Sequence, residues 1–331
     1  MDELAVAVVI PCRNEQQTVA DVVRDFSKAL PEATVHVFDN GSVDETADRA
    51  RAAGAEVWRV DSPGKGNVVR RMFADVDADV YVLVDGDGTY DAKAAPQMVE
   101  LVAQGGNDLV NAARVPEGSG AFRRGHAGGN RLFGGLTRWM FGAGVSDVLS
   151  GYKACSRRLV KSFPVHSGGF EIETELAVHA LGIRAAVTEI QVAYRDRPEG
   201  SESKLGTIPD GLRIARAIIG RVRHGRPLAF FGLVGVLLGA VGLALGIPVI
   251  ITYTHTHLVP RFPTAILATS LVILASLSLT AGLVLDSVTR SRWEQRLLVY
   301  LSVPGPLARR GESRSAVHSA TDEPAAETGL G

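Results

Sequence analysis

Two aspartates separated by one glycine, in the run Asp85-Gly86-Asp87-Gly88-Thr89-Tyr90, are the residues of this sequence best suited to chemistry. They follow Val80–Val84, a short β-branched run that reads as a strand. Two carboxylates so spaced at a strand end can share a divalent cation that also grips a diphosphate, and hard oxygen ligands suit Mg²⁺ or Mn²⁺. Such a cation neutralises charge building on a departing nucleoside diphosphate. An isolated Asp-x-Asp is more often a solvated turn. A calcium loop is excluded, because Thr89 occupies its third ligand position and its glycine is missing.

Other polar clusters also fall just after strand-like runs. Pro11-Cys12-Arg13-Asn14-Glu15 follows the first run, and Asp39-Asn40-Gly41-Ser42-Val43-Asp44-Glu45-Thr46 follows the second. Ser42 or Asp44 is suited to capping the next helix. Asp39 ends its strand where a base or ribose would lie, and its carboxylate can accept hydrogen bonds from either. Gly64-Lys65-Gly66 would let backbone and one cation approach a ligand closely. It is not a P-loop, which needs an upstream glycine and a following Ser or Thr. No Gly-x-Gly-x-x-Gly follows the first strand, which argues against a dinucleotide-binding dehydrogenase.

The elements that must position these loops alternate. Candidate strands are Ala5–Ile10, Thr34–Phe38, Glu56–Val60, Val80–Val84, Asp108–Ala112 and Val187–Val192. Helix-period segments Thr18–Leu30, Asp44–Ala53, Gly66–Asp75 and Ala94–Gln104 lie among the first five. Apolar strands separated by helices predict a doubly wound, mainly parallel α/β sheet over residues 1–207. Such sheets bind ligands beyond the carboxyl ends of their strands.

The rest of the chain is different in kind. Residues 208–226 read as an amphipathic helix, with Leu212, Ala215, Ile219 and Val222 on one face and Arg213, Arg216 and Arg223 around the other. This suits an interfacial position beside a membrane, and docking on the globular domain is the plainer alternative. Residues 227–260 and 262–285 contain no Asp, Glu, Lys or Arg. Leu228–Ile251 and Pro263–Leu285 are each long enough to cross about 30 Å of hydrocarbon, which predicts a transmembrane hairpin over 227–287. Five arginines between Arg213 and Arg226, and Arg290, Arg292 and Arg296 after the second span, outweigh the single Arg261 between the spans. That asymmetry predicts a multi-pass protein of the cell membrane with its catalytic domain in the cytoplasm. Gly232, Gly235, Gly239, Gly242 and Gly246 would permit close helix packing, within the hairpin or in a homo-oligomer. Residues 288–331 are expected to form a cytoplasmic tail, disordered from about 304.

The formal net charge of −1 argues against a nucleic-acid partner. Cys12 and Cys155 are too few for a disulfide framework, so a reducing compartment is expected. The acidic Met1-Asp2-Glu3 start does not read as a signal peptide.

In order, Ile10-Pro11-x-x-Asn14-Glu15, Asp39-Asn40-Gly41-Ser42, Gly64-Lys65-Gly66 and Asp85-x-Asp87 resemble the family 2 glycosyltransferases of GT-A fold. The resemblance continues through Arg114, Arg124, Asp147-x-x-Ser150-Gly151-Tyr152 and Gly169-Phe170-Glu171-Ile172-Glu173. It ends in Tyr194-x-x-Arg197-x-x-Gly200-Ser201-x-Ser203-Lys204-Leu205. This later set is similar to the polyprenyl-phosphate and dolichyl-phosphate hexose synthases.

The resemblance implies transfer of a sugar from a nucleotide-sugar to a polyprenyl or dolichyl phosphate, with inversion. It places Pro11, Arg13, Glu15, Asp39, Ser42, Lys65, Asp85, Gly86 and Arg114 around the donor, and the metal at Asp85 and Asp87. Arg124, Arg197, Ser203 and Lys204 would hold acceptor and phosphate groups, where guanidinium forks suit phosphate oxygens. Asp87, Asp147, Arg124 and Arg197 are the expected catalytic set. A lipid phosphate is already ionised, so Asp147 is expected to position rather than to take a proton, with general base as the rival role.

This sequence departs from the family at Asn40, where a second Asp is usual, and at Cys12, Arg13 and Thr89. A processive polysaccharide synthase is disfavoured, because Arg138-Trp139 and Arg292-Trp293 lack the Gln of the Gln-x-x-Arg-Trp motif. Other acceptors of the same fold remain open, and so does a catalytically dead membrane adaptor, against which Asp85 and Asp87 argue.

Overall fold

In the computed structural model, residues 4–116, 145–166, 168–169, 171–195 and 227–306 are described. The chain divides into two compact units, Met1–Ser203 with Arg296–Gly331, and Lys204–Gln295. The expected interfacial helix over 208–226 and the tail beyond 306 lie outside the described residues.

In the first unit the alternating pattern becomes a seven-stranded sheet of order β3-β2-β1-β4-β6-β5-β7. The strands are β1 (Val6–Cys12), β2 (Thr34–Asp39), β3 (Glu56–Arg59), β4 (Val80–Leu83), β5 (Leu109–Pro116), β6 (Lys153–Ser156) and β7 (Val187–Tyr194). β1 pairs in parallel with β2 and β4, β2 with β3, and β5 with β7. β6 runs antiparallel to both β4 and β5. Because it is reversed, its first residue, Lys153, lies opposite Leu83 near the carboxyl end of β4. The loop before β6 therefore joins the loops after β1, β2 and β4 at one edge of the sheet. Lys-Ala-Cys-Ser was not among the expected strands: four residues led by a lysine carry no strand signature, and only pairing on both sides defines it.

The helices of this unit are α1 (Val19–Ala29), α2 (Thr46–Ala52), α3 (Lys65–Asp75), α4 (Ala95–Ala103), α5 (Arg157–Ser162) and α6 (Ile172–Gly182). α1 shows why they form: Val19, Val22, Val23 and Phe26 recur at helical spacing and are all buried. They pack with Val8, Ile10, Val82, Met98 and Tyr152 in one core. Away from the carboxyl edge, the buried Asp108 accepts hydrogen bonds from Ser156 Oγ (2.7 Å), Arg158 (2.5 and 3.0 Å) and Tyr300 Oη (2.7 Å).

The second unit holds α7 (Pro227–Thr256) and most of α8 (Phe262–Ser302). Their 30 and 41 residues span about 45 and 60 Å at 1.5 Å per residue. Only 11% and 17% of their most apolar stretches are buried within the chain, and both are long and apolar enough to cross a membrane. Leu233, Val236, Ile250, Leu277 and Leu283 stay exposed, as lipid-facing residues would. Both helices outrun the expected spans, because polar residues after Ile251 and Leu285 are compatible with helix. α8 continues until Val303-Pro304.

Of the five glycines in α7, Gly235, Gly239, Gly242 and Gly246 face α8, and a side chain on Gly242 would crowd Val272 and the Ala268 carbonyl. Gly232 meets nothing within 4 Å. Ser278 Oγ also donates across the hairpin to the Phe231 carbonyl at 2.8 Å. Gly242→Val is therefore expected to cost about 1–3 kcal/mol through overpacking, and Gly232→Val much less. Denaturation of the full chain in detergent measures both, and equal losses would contradict this packing.

Candidate active site

The acidic loops are fastened to one another before any ligand is considered. Asn14, in a left-handed conformation at φ 53°, donates its backbone N–H to Ser42 Oγ at 2.9 Å and accepts from Val43 N–H at 3.0 Å. Glu15 N–H donates to Thr46 Oγ1, and Thr46 donates to Asp44 at 2.5 Å. The loops after β1 and β2 thus close into one wall. Both oxygens of the buried Asp39 accept from Ser42 N–H, at 3.2 and 3.3 Å.

Asn40 explains its own departure from the family pattern. Its side-chain amide donates to the Val60 and Ser62 carbonyls at 2.9 and 2.8 Å, and its oxygen accepts from Gly64 N–H at 2.8 Å. An aspartate could not donate to those carbonyls. Asn40 thereby holds the loop that leads into Lys65. Gly64 has φ 113°, and a Cβ there would overlap the Gly168 carbonyl, so only glycine lets this loop meet the segment ahead of α6.

That meeting creates the central contact of the site. Lys65 Nζ, at the start of α3, hydrogen-bonds both Asp85 Oδ1 and Glu173 Oε1. Burial would lower the Lys65 pKa, but the charges of Asp85 and Glu173 raise it well above its usual value. The neighbouring Asp87 is buried and accepts from Thr89 N–H at 3.2 Å and Thr89 Oγ1 at 2.6 Å. Thr89 therefore orients Asp87. Gly86, packed on Cys12 Sγ, and Gly151, packed on the Asp85 carboxylate, leave no room for side chains.

Asp85 and Asp87 are hard oxygen donors of the kind Mg²⁺ or Mn²⁺ takes, and in this structure the ammonium of Lys65 occupies Asp85. Among the described residues no group of three or more His, Cys, Asp or Glu side chains is gathered for a metal. Further ligands would have to come from diphosphate oxygens and water.

A second ion pair lies toward β5. Arg114 grips Asp147 with Nε at 2.7 Å and Nη2 at 2.8 Å, one bond to each carboxylate oxygen, and its backbone N–H adds a third at 3.1 Å. Burial would raise the Asp147 pKa, but Arg114 holds it below the usual carboxylate value. Asn111 donates to the Asp147 carbonyl at 3.0 Å and to Glu189 at 2.9 Å, and Glu189 accepts from the backbone of Ser146 and Asp147. The guanidinium of Arg114 also lies 5.4 Å from the centre of the Tyr194 ring. Arg195 N–H donates to the Thr89 carbonyl at 2.9 Å, so the chain leaving β7 starts beside Asp87.

The structure thus joins Lys65 to Asp85, two residues before Asp87, and pairs Arg114 with Asp147. Pro11 and Asp39 stand at the carboxyl ends of β1 and β2, and Arg13, Glu15 and Ser42 in the loops that follow them. Arg124, Arg197, Ser203 and Lys204 lie outside the described residues. Glu173, Asn111, Lys153 and Glu189 are site residues that sequence reasoning passed over. Glu173 stood within the Gly169–Glu173 run without a role, and no spacing rule links the other three.

An open, mostly parallel sheet with two spaced carboxylates at its carboxyl edge and a lysine between loops has the layout of the GT-A fold. Residues 7–163 match the family described as Glycosyl transferase family 2. The chain is 35% identical over 244 residues to Glycosyltransferase AglJ of Haloferax volcanii, covering 73% of this chain and 80% of that protein. It is 30% identical over 218 residues to the Dolichyl-phosphate hexose transferase of the same organism, covering 64% and 92%. Among solved structures it resembles glucosyl-3-phosphoglycerate synthase of Mycobacterium tuberculosis in complex with Mn²⁺, uridine-diphosphate-glucose and glycerol 3-phosphate. That match has a TM-score of 0.52 at 26% identity, over 66% of this chain and 79% of that one. This chain belongs to glycosyl transferase family 2.

Lys153, fully buried beside Asn111, has its pKa pushed down to about 8 by burial, with Glu173 and Asp147 offsetting part of the effect. Between that value and the ordinary lysine range the unfolded chain binds more protons than the folded one, so stability must rise with pH across this window. The gain on going from pH 7 to above 10 is expected to be about 3 kcal/mol. Lys153→Met should remove the rise. Thermal unfolding from pH 7 to 10 checks it, and parallel curves for both proteins would refute it.

Proposed function

We propose that this chain transfers a sugar from a nucleotide-sugar to a polyprenyl phosphate of dolichyl type, inverting the anomeric centre, at the cytoplasmic face of the membrane. The observation that carries this reading is the grip of Arg114 on both oxygens of Asp147. A carboxylate paired in this way, with its pKa depressed, is a poor proton acceptor. An acceptor that arrives ionised does not need one. The exposed apolar hairpin and the dolichyl-phosphate relative support a lipid carrier of that phosphate.

In this mechanism Asp39 and the wall around Ser42 accept hydrogen bonds from the nucleoside, with Pro11, Arg13 and Glu15 alongside. Asp85 and Asp87 would hold Mg²⁺ or Mn²⁺, which supplies charge stabilisation to the leaving diphosphate. Lys65 lies close enough to Asp85 to add its own charge there. Asp147 fixes the Arg114 guanidinium, and Arg124, Arg197, Ser203 and Lys204 are assigned to the phosphates. A phosphate oxygen of the acceptor attacks the anomeric carbon while the bond from that carbon to the diphosphate breaks. The nucleoside diphosphate leaves with the electron pair, and no proton has to move.

Membranes containing the full chain, given UDP- and GDP-sugars with polyprenyl phosphate or the matching polyprenol, test the acceptor. Transfer to the phosphate alone is expected. Equal transfer to the free alcohol would overturn the assignment and make Asp147 a base. Asp87→Ala should reduce turnover at least a hundredfold in a folded protein, an effect on the scale of removing one transition-state stabiliser (about 3 kcal/mol). Wild-type activity undiminished by excess EDTA would rule out the metal.

Topology is checked independently by reporter fusions. A reporter at the C-terminus should read as cytoplasmic and one in the loop around Thr254–Phe262 as external. A C-terminus found outside would refute the two-span arrangement.

A further inference from the structure

We propose that Glu173 is a positioning residue that sets how strongly Lys65 competes with a divalent cation for Asp85. The inference rests on the reading of Asp85 and Asp87 as the metal–diphosphate site. Lys65 Nζ bridges the two carboxylates, but they are not equivalent. The Asp85 side chain is 27% exposed, whereas those of Glu173 and Lys65 are 6% and 9% exposed. One carboxylate faces outward, and the other is sealed behind the ammonium.

The sealed pair is held by the fold. Arg70, on α3, donates to the Val165 carbonyl at 3.2 and 2.8 Å, and Gly64 packs under the Gly168 carbonyl. These contacts join the start of α3 to the segment leading into α6, whose first turn carries Glu173. Lys65 also sits at a helix N-terminus, where the macrodipole disfavours a cation. Two carboxylates compensate for that position.

When cation and diphosphate arrive at Asp85, Lys65 must give up that carboxylate. Glu173 lets it do so without becoming an unpaired buried charge, because the second ion pair stays in place. The ammonium can then exchange Asp85 for a phosphate oxygen and remain hydrogen-bonded. Without Glu173, the ammonium would hold Asp85 more firmly against the incoming metal. Glu173 thus acts on metal binding through Lys65, without touching substrate.

Mn²⁺ binding to the full-length protein in detergent, read from loss of the free-ion electron paramagnetic resonance signal, tests this with UDP or GDP present. Glu173→Gln is expected to weaken Mn²⁺ binding about tenfold, since the charge opposing Lys65 is lost. Adding Lys65→Met to Glu173→Gln should restore binding to within about threefold of wild type, because the competing cation is then gone. A structural role alone would leave the double variant as weak as the single one, and that result would overturn the inference. So would wild-type Mn²⁺ affinity in Glu173→Gln. If wild type binds no Mn²⁺ with either nucleotide, the metal reading itself falls, a result distinct from either of those. Should Glu173→Gln fail to fold, Lys65→Met alone, titrated with Mn²⁺ and no nucleotide, must bind more tightly than wild type. Equal or weaker binding overturns the inference.

Discussion

The ammonium of Lys65, enclosed between Asp85 and Glu173, is the contact around which the site is organised. A buried lysine requires opposite charge, and two carboxylates drawn this close require a cation between them. Each condition meets the other only if three distant segments arrive together. Asn40 holds the loop ahead of Lys65, Gly64 lets it pass the Gly168 carbonyl, and Gly151 leaves space for the Asp85 side chain. Removing any one of these would separate the charges and leave them unpaired in a poorly solvated place.

The same logic governs the opposite side of the site. Asp147 is held by Arg114 on both oxygens, and Glu189 with Asn111 fixes the turn that carries it. If two phosphate-bearing substrates meet here, as proposed, bare carboxylates would repel them, because like charges at short range in a low dielectric repel strongly. Pairing Asp85 with Lys65 and Asp147 with Arg114 keeps the acidic residues while limiting that repulsion. Lys153 adds buried positive charge beside Asn111, between these pairs.

The two units solve different solvation problems. In the first, apolar side chains of the strands and helices are buried together, and the acidic clusters stand at the carboxyl ends of the strands. In the second, apolar side chains point outward over most of two long helices, and glycines provide the inner contact. If these helices lie in a bilayer, hydrophobic burial would not drive that inner contact, and close packing with the Ser278–Phe231 hydrogen bond would do so.

Much of this was legible in the chain itself. The period of the apolar residues announced six of the strands and the first four helices. The absence of charge over residues 227–260 and 262–285 announced two long apolar helices, since helix formation and apolarity are both written in consecutive residues. The spacing of Asp85 and Asp87 marked the metal-type loop for the same reason. What only the tertiary structure decided were relations between residues far apart in sequence. β6 exists because β4 and β5 flank it, and its reversal brings Gly151 to Asp85. Glu173 meets Lys65 across 108 positions, and Asn40 reaches Gly64 across 24. No local period encodes such contacts, because they follow from where the folded sheet delivers each loop. Charge pairing is a property of that three-dimensional arrival, and so the partners of Asp85 and Asp147 could be read only from the fold.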